Sequence, residues 1–340
     1  MPLGIRTERE LEDRLTAPSE WDIEAASRLE GDVILLGAGG KIGPTLATRM
    51  ARAIEAAGLR HRVIAVVRRN RAGLFAESSD RIEIVEADLL DPTSFDALPD
   101  APNVVFMVGR KFGSEQDLPS TWVTNAWIAG LAARRFQNSR VVVFSTGNVY
   151  PFVSADGPGA NEHTPVAPTG EYAQSALARE RIFEYFSSAR GTRVLLFRLN
   201  YAVDLRYGVL LDICEKVVSG EPIDLTTGFV NVIWQGDCSS YCLRSFALCD
   251  SPAGILNVTG RKVSVRDVAL KFGRRFGKTP NFLGTESASA LLSDASRCTK
   301  LLGPALVDEQ QLTEMTANWF SAGGVTLGKR TKFERRDGNF

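Results

Sequence analysis

Short apolar runs alternate with amphipathic stretches over the first two thirds of the chain. The runs are nearly continuous, which is typical of strands that are buried on both faces of a parallel sheet. Because helical stretches lie between them, the pattern predicts an α/β fold built on a doubly wound parallel sheet. The runs interpreted as strands are residues 33–36, 62–67, 81–87, 103–108, 140–144 and 193–199.

The pattern loosens after residue 200 and divides the chain into parts. Residues 1–30 are charged and helical, and we expect them to pack outside the core as an N-terminal extension. Residues 31–200 hold the predicted sheet, and residues 201–325 mix short helices and strands in a smaller α/β lobe that is interleaved with the first domain. Residues 326–340 are polar and of mixed charge. They are expected to form a solvated arm or to drape over a neighbouring subunit.

The first apolar run leads directly into a glycine-rich turn and then into a helical stretch. The turn has the sequence Gly37-Ala-Gly-Gly-Lys-Ile-Gly43. Gly37 permits a tight reversal, Gly39 or Gly40 lets the backbone approach a pyrophosphate, and Gly43 lets the helix pack closely on the strand. Pro44 suits the first turn of a helix, whose free N–H groups face the phosphates. The stretch predicts a dinucleotide site, and the alternative is a tight turn that binds nothing.

Composition narrows the classes of function. The chain has 340 residues, with 40 Lys+Arg and 40 Asp+Glu, and its net charge of zero argues against binding nucleic acid or anionic membranes through bulk charge. No apolar run has the length of a membrane span, and the N-terminus lacks a signal-peptide core. The five cysteines are typical of reduced thiols in a cytoplasmic protein. Since His61 and His163 are the only histidines, we expect no metal site.

Several further residues complete a set of ordered motifs. They are Gly37, Gly40 and Gly43 in the turn, Asp88 after the third strand, Asn125 in a helix, Phe144–Tyr150 after the fifth strand, Glu162, Pro165 and Pro168 in the next loop, Tyr172, Ser175 and Glu180 in the next helix, then Arg198, Asn200, Asp237, Asn257–Gly260 and Val265. On these motifs the chain resembles the extended short-chain dehydrogenase/reductases, the group that includes NAD-dependent sugar epimerases and dehydratases. The resemblance implies a Rossmann-type fold with a smaller C-terminal substrate lobe.

The resemblance also implies roles for individual residues. Tyr172 would move a proton and Thr146 would bind the substrate oxygen; the alternatives are a buried aromatic and a β-branched residue that ends a strand. His163 is a further candidate acid or base because histidine titrates near neutrality, or it is an incidental residue of the loop between residues 150 and 170. The residues expected to hold a dinucleotide are Gly37, Gly39, Gly40, Lys41, Ile42, Gly43, Arg68, Arg69, Asp88, Leu89 and Asn125.

One position departs from the family's Tyr-x-x-x-Lys motif, because Ala176 stands where the lysine is expected. The lysine lowers the tyrosine pKa, ordinarily roughly 10, and holds the nicotinamide ribose. Arg179 lies on the same helical face, two turns beyond Tyr172. Lys111 and Arg110 follow the fourth strand, at the edge of the sheet where ligands bind. Each of these cations is a candidate replacement, and each can equally be a solvated surface charge.

The end of the second predicted strand bears on the form of the cofactor. Proteins selective for NAD usually carry an acid there, which accepts hydrogen bonds from the ribose hydroxyls. This chain has Arg68 and Arg69 instead, and Lys41 in the glycine turn adds positive charge nearby. Because arginine pairs well with phosphate, we predict NADP as the cofactor, with NAD as the alternative.

The substrate region lacks a residue that the resemblance leads us to expect. Nucleotide-sugar members of the family carry an arginine near residues 228–231, where this chain has none. Either Arg206 serves instead, or the substrate is a smaller polyol, sugar acid or keto-sugar. We predict an NAD(P)-dependent oxidoreductase, epimerase or dehydratase that acts on a carbohydrate-like alcohol or ketone. The alternative is a non-catalytic NADP-binding sensor or partner-binding module.

Two long helical stretches indicate self-association. Residues 118–136 and 171–188 match the helices that form the family's dimer interface. They carry more large apolar residues, among them Trp122 and Trp127, than two amphipathic helices need for one core. We therefore predict a homodimer.

Overall fold

The structure of the chain, a computed structural model, describes residues 4–71, 73–75, 79–113 and 116–339. Its strands are β1 (Val33–Leu36), β2 (Val63–Val67), β3 (Ile82–Glu86), β4 (Asn103–Phe106), β5 (Arg140–Thr146), β6 (Val153–Ser154), β7 (Arg193–Leu199), β8 (Ala202–Val203), β9 (Ile223–Asp224), β10 (Phe229–Asn231), β11 (Ile233–Trp234), β12 (Gly254–Val258), β13 (Lys262–Ser264), β14 (Phe282–Leu283) and β15 (Ser289–Ala290). Its α-helices are α1 (Glu8–Thr16), α2 (Glu20–Ser27), α3 (Gly43–Ala56), α4 (Pro92–Ala97), α5 (Leu118–Trp122), α6 (Ile128–Arg135), α7 (Gly170–Arg190), α8 (Val209–Ser219), α9 (Gln235–Arg244), α10 (Val265–Phe276), α11 (Ser296–Leu302) and α12 (Glu309–Ser321).

Seven of the strands in the described ranges form one central sheet, in the order β12-β7-β5-β4-β1-β2-β3. Every neighbouring pair is parallel. The chain winds one way from β1 towards β3 and the other way from β4 towards β12, which confirms the predicted doubly wound sheet. In open α/β sheets ligands bind at the carboxyl ends of the strands at such a switch point, here between β1 and β4.

The two faces of the sheet bury separate apolar clusters. On one face, Leu46 and Met50 of α3 pack with residues of α9. On the other face, Ile128 of α6 and Phe183 of α7 pack against alternate residues of the same strands. Strands covered on both sides have no polar face, which explains why they appear as continuous apolar runs in the sequence.

The smaller lobe has its own core, formed by α8, α10 and α12 with the short strands. The lobe is interleaved with the larger domain. After α8 the chain returns through α9, which packs on α3, and then through β12, which pairs with β7 from Gly254 opposite Leu195 to Val258 opposite Leu199. The seventh strand of the central sheet therefore comes from the part of the sequence that we predicted to be the smaller lobe.

The N-terminal extension consists of two helices that pack against α3 and α9. A capping box between Thr7 and Glu10 begins α1. The carboxylate of Asp22 in α2 lies 2.6 Å from the guanidinium of Arg49 in α3, and both side chains are buried. Asp22 also accepts a hydrogen bond from the hydroxyl of Ser240 in α9. The extension is thus joined to the larger domain by a buried, fully paired charge. Leu11 and Leu15 of α1 are buried in the core of the smaller lobe, so the expectation that the extension packs outside the core is wrong.

The predicted long helix at 118–136 is continuous from Leu118 to Arg135, and it contains a π-helical turn at Val123–Trp127 between α5 and α6. One further expectation is wrong. The C-terminal tail is not a solvated arm, because Thr331 and Phe333 are buried against the smaller lobe of the same chain. Within the described ranges, no helix combines the length and apolar character needed to cross a membrane.

Candidate active site

The glycine turn has the geometry that its sequence predicts. Gly37 adopts a φ of +88°, in the region that favours glycine. A Cβ at Gly43 would collide with the carbonyl of Ala38, so only glycine lets α3 start this close to the turn. A Cβ at Gly40 would meet nothing nearer than 3.8 Å. The turn is therefore tight on its inner side and open on its outer side, where the free N–H groups of α3 begin.

A cleft of about 1160 Å³ runs along the carboxyl ends of β1, β2 and β4, beside this turn. Two arginines after β2 form one wall, and the carboxylate of Asp88 lies nearby, where it accepts a hydrogen bond from the N–H of Leu90. The open glycine backbone, a helix N-terminus and an acid beyond β3 fit a dinucleotide. The predicted cofactor residues that line this cleft are Gly37, Gly39, Gly40, Arg68, Arg69, Asp88 and Leu89.

Lys41 and Ile42 line a second pocket, of about 220 Å³, next to the cleft. Lys41 was expected to place its charge near a cofactor phosphate beyond β2. Instead its ammonium lies 3.0 Å from the ring centre of Tyr207 and 4.7 Å from that of Phe112. Burial is the largest cause that lowers its pKa, to about 8, and the charges of Lys329 and Lys111 add to this effect.

Tyr172 and Thr146 meet in this second pocket. Thr146 ends β5 and Tyr172 lies in the first turn of α7, and their side chains are hydrogen-bonded to each other. Burial raises the pKa of the Tyr172 phenol, while the guanidinium of Arg179 and the bond with Thr146 oppose this rise. The pairing that the resemblance implied is therefore present, on a tyrosine that is a weak acid in the free protein.

Asn125 lies behind the cleft rather than on its wall, at the centre of the π-helical turn. Its side-chain oxygen accepts from the N–H of Arg110 at 2.8 Å, and its amide donates to the carbonyl of Arg110 at 3.0 Å and to the hydroxyl of Ser175 at 2.9 Å. The wider turn lets this one side chain join the loop after β4 to α7. Its geometry is that of a positioning residue for the loop that carries Lys111.

The cations proposed as replacements for the missing lysine occupy different places. Arg179 is buried, and its guanidinium donates to the carbonyl of Phe144 at 2.7 Å and to both oxygens of Asn125 at 3.2 and 3.0 Å. Arg110 turns away to Asp117, 3.1 Å from its carboxylate. These two guanidinium groups are therefore committed to other partners.

Lys111 is the candidate cation that faces the pocket. Its ammonium lies 5.6 Å from the ring centre of Tyr172 and 5.9 Å from that of Tyr201, and it lines both the cleft and the pocket. Burial lowers its pKa to about 8. Ala176, at the position of the missing lysine, is fully buried in an apolar cluster with Val149 and Tyr150.

Three aromatic residues of the pocket, Phe112, Tyr201 and Tyr207, were not predicted from the sequence. Tyr201 has a φ of +39°, a strained conformation for a non-glycine residue, and such strain clusters at functional sites. Burial raises its pKa to about 12. The sequence offers no local signal for these rings, because they reach the pocket from three separate loops, after β4, β7 and β8.

A buried polar network supports the pocket from below. Glu180 of α7 lies 2.6 Å from the guanidinium of Arg198 in β7, and it accepts from the hydroxyl of Ser145. Arg198 also donates to the Tyr150 hydroxyl at 2.8 Å, which in turn donates to Asn257 of β12 at 2.8 Å. The network joins α7 to the strands β5, β7 and β12, and so fixes the helix that carries Tyr172.

Two other candidates lie outside the pocket. His163 is exposed in the loop before α7, and its main-chain N–H donates to the side chain of Asn161. Arg206 pairs with Asp204 at 2.8 Å and with Glu12 at 2.6 Å, so its guanidinium faces the N-terminal extension rather than a pyrophosphate. In the described part of the chain, no group of three or more His, Cys, Asp or Glu side chains is placed to hold a metal ion.

The fold is similar to those of several solved structures. One is MoeE5 in complex with UDP-glucuronic acid and NAD, with 22% identity and a TM-score of 0.69 over 86% of this chain and 100% of that chain. Another is dTDP-glucose 4,6-dehydratase from Bacillus anthracis str. Ames in complex with NAD, with 14% identity and a TM-score of 0.72 over 86% and 96%. A third is the UDP-glucose 4-epimerase of Thermus thermophilus in complex with NAD, with 19% identity and a TM-score of 0.69 over 85% and 99%.

At these identities the structures establish the fold, and no curated protein sequence matches the chain. The family is established by the sequence itself. Residues 33–203 match the sequence model of the NAD dependent epimerase/dehydratase family, and this match spans the glycine turn, Thr146, Tyr172 and the strands β1 to β8. Since it covers half of the chain, the chain belongs to the NAD dependent epimerase/dehydratase family.

Proposed function

We propose that the protein is a nicotinamide-dependent enzyme of the epimerase, dehydratase or oxidoreductase type, acting on the alcohol or ketone of a carbohydrate. The observation that carries the proposal is the hydrogen bond between Thr146 and Tyr172, in a pocket that adjoins the dinucleotide cleft. A phenol and a hydroxyl that are held together beside a cofactor site can bind one substrate oxygen and exchange a proton with it.

We assign separate roles in this chemistry to the residues around Tyr172. Thr146 orients the substrate oxygen, and Tyr172 gives or takes its proton. The guanidinium of Arg179 favours the phenolate, and the ammonium of Lys111, 5.6 Å from the ring centre, adds to this effect while it is protonated. The dinucleotide, when bound along the glycine turn, supplies the hydride chemistry.

We propose NAD rather than NADP as the working cofactor. The family is named for NAD, and the MoeE5, dehydratase and epimerase structures named above are complexes with NAD. The prediction of NADP rested on Arg68 and Arg69, which do line the cleft. Two exposed arginines beside the expected site of the adenine ribose are compatible with either NAD or NADP. They therefore do not outweigh the NAD in the family's name and in the three complexes.

The test is turnover of a carbohydrate panel with NAD and NADH, followed by absorbance of the reduced cofactor and by product analysis. We expect Tyr172→Phe to lower turnover by about 100-fold or more while NAD affinity is unchanged. Tyr185→Phe is the matched control, since this tyrosine lies on the same helix but is 63% exposed. Full activity in Tyr172→Phe would remove the tyrosine from the mechanism.

A second candidate function, a non-catalytic dinucleotide-binding module, is favoured by Ala176. The residue is buried among apolar side chains, and burial keeps the phenol of Tyr172 protonated. The turnover experiment distinguishes the enzyme from the binding module. A binding module takes up NAD with high affinity but transfers no hydride to any member of the panel, and Tyr172→Phe then changes nothing.

A further inference from the structure

The C-terminal tail forms part of the wall of the active-site pocket. Thr331 lines the pocket, and the carboxylate of Asp212 in α8 accepts both its N–H at 2.8 Å and its hydroxyl at 2.5 Å. Two residues further on, Phe333 is buried in the core of the smaller lobe. These contacts hold the start of the tail over the substrate lobe of its own chain.

The end of the tail continues to the helix that carries Tyr172. The guanidinium of Arg336 donates to the carbonyl of Thr226 at 3.2 Å and to the carbonyl and hydroxyl of Ser289 at 2.8 and 2.9 Å. Gly338 then packs against Gly170, the first residue of α7. The tail thus runs from α8 to the start of α7 with Thr331 on the wall of the pocket, and the pocket's volume of about 220 Å³ is smaller than that of sites for drug-sized ligands.

The pocket carries positive charge only. Among the described residues that line it, Lys41 and Lys111 are charged, and no aspartate or glutamate is present. The ammonium of Lys41 is buried and makes no hydrogen bond to any described residue. The nearby acids are engaged elsewhere, Asp212 with Thr331 and Asp204 with Arg206. The rings of Tyr207 and Phe112 stabilise this ammonium but leave its N–H groups without an oxygen acceptor, and a ligand oxygen in the pocket would supply one.

We propose that the substrate is a small carbohydrate acid, a single sugar unit whose carboxylate or phosphate binds Lys41 while its reacting oxygen lies at Tyr172 and Thr146. This inference rests on the proposed function and specifies its substrate class. It departs from nucleotide sugars for two reasons. The pocket beside Tyr172 holds only about 220 Å³, and Arg206 pairs with Asp204 and Glu12 instead of facing a pyrophosphate.

Lys41 follows Gly40, so the cofactor pyrophosphate is the competing anion. Its side chain, however, lines the pocket with Tyr172 rather than the cleft with Arg68 and Asp88. If Lys41 binds the pyrophosphate, replacing it should lower the affinity for NAD. If Lys41 binds the substrate, replacing it should leave the affinity for NAD unchanged.

The experiment measures binding to the NAD-loaded protein by calorimetry, with D-glucuronate, glucose 6-phosphate, D-glucose and UDP-glucose as probes. We expect glucuronate or glucose 6-phosphate to bind about ten- to hundredfold more tightly than glucose, and to identify which anion the site takes. UDP-glucose should bind more weakly than the preferred acid. Lys41→Met should abolish the preference for the acid, Lys41→Arg should keep part of it, and Lys300→Met, at an exposed lysine of α11, should have no effect.

Several outcomes overturn the inference. They are equal binding of glucose and the acids, no binding of either acid, tighter binding of UDP-glucose, or a loss of NAD affinity in Lys41→Met as large as the loss of acid affinity. Since only binding is measured, a protein that binds the acid but never transfers hydride contradicts the proposed function and leaves this inference standing.

The role of the tail has a separate readout. Arg336→Ala removes three hydrogen bonds from the end of the tail while Phe333 stays in place. We expect faster tryptic cleavage at the exposed Arg335 and a gain in UDP-glucose binding. Faster cleavage with no gain would show that the tail is not what excludes a nucleotide.

Discussion

Lys111 places its ammonium 5.6 Å from the ring centre of Tyr172, although it approaches from the loop after β4 and not from the helix that carries the tyrosine. A cation on a loop can stabilise the phenolate as one on the helix would, because the interaction depends on distance and burial. The loop itself is held by Asn125, through both main-chain groups of Arg110.

The first prediction concerns the pH dependence that this pair creates. Burial raises the pKa of Tyr172, and the ammonium of Lys111 is charged below its own pKa of about 8. We expect alcohol oxidation to increase towards alkaline pH as the phenol loses its proton. Because Lys111 loses its charge near pH 8, it can favour the phenolate only below that pH, so Lys111→Met should lower the rate about tenfold or more below pH 8 and change it little at higher pH.

Arg110→Met is the matched control for this change, since Arg110 is the neighbouring cation but pairs with Asp117. Its pH profile, measured as the steady-state rate in overlapping buffers, should match that of the wild type. A rate below pH 8 that is unchanged in Lys111→Met would show that the lysine does not act on the phenol.

The second prediction concerns proton uptake when the acid binds. The pKa of Lys41 and that of Lys111 are both about 8, so at pH 8 each is about half protonated. A bound anion raises the pKa of a nearby lysine, so binding at pH 8 should take up protons, and affinity should fall as the pH rises above 8. Calorimetric enthalpies in HEPES and Tris should differ in proportion to the uptake. Identical enthalpies in the two buffers would contradict the assignment.

The third prediction separates the two dinucleotides. Replacing both Arg68 and Arg69 by alanine should leave NAD affinity within about twofold and lower NADP affinity about tenfold or more, because the 2′-phosphate alone gains from their charge. The control is Arg60→Ala, an exposed arginine before β2. Fluorescence titration of the reduced dinucleotides gives both affinities. Equal losses of affinity for NAD and NADP would mean that these arginines contact a part of the dinucleotide that NAD and NADP have in common.

The fourth prediction concerns stability. Glu180 and Arg198 form a buried ion pair at 2.6 Å. Glu180→Gln leaves the buried guanidinium without a counter-charge, and we expect the free energy of unfolding to fall by about 3 kcal/mol. Glu184→Gln, on the same helix, removes the partner of the more exposed Arg181 and should cost less than about 1 kcal/mol. Urea denaturation, monitored by circular dichroism, measures both, and equal losses would contradict the prediction.

The fifth prediction is the homodimer. Trp127 of the π-helical turn is 53% exposed and Tyr185 of α7 is 63% exposed, on elements that contact each other. Exposed aromatic residues on adjacent helices are typical of an interface. Light scattering should give twice the chain mass of 37.1 kDa, and Trp127→Glu with Tyr185→Glu should halve it. Leu283→Glu, at an exposed leucine of the smaller lobe, is the control. A wild-type monomer at micromolar concentration would refute the prediction.

The parts of the fold that depend on local signals could be predicted from the sequence. The apolar runs gave the strands of the sheet up to β7, and the glycine turn carries its own steric requirements at Gly37 and Gly43. The π-helical turn at Asn125 could not be predicted in this way. The side chain of Asn125 bonds the loop after β4 and α7 at once, and these partners are distant in sequence.

The same limit applies to the pocket. The roles of Tyr172 and Thr146 could be predicted from ordered motifs. The orientation of the Lys41 side chain depends on the rings of Phe112 and Tyr207, which lie in two other loops. A solvated tail was expected because its composition is polar. Its polar residues find partners inside the protein, as Thr331 does with Asp212, and composition does not reveal such pairing.

The return of the chain to the central sheet through β12 has a consequence for how the protein folds. A fragment that ends at residue 200 would lack this strand and leave β7 as an unprotected edge, which promotes aggregation. A fragment that begins there would carry an isolated strand with no sheet to join. The two lobes are therefore not separable modules. We expect them to unfold in a single cooperative transition, so a change that weakens the smaller lobe also weakens the sheet that supports the glycine turn.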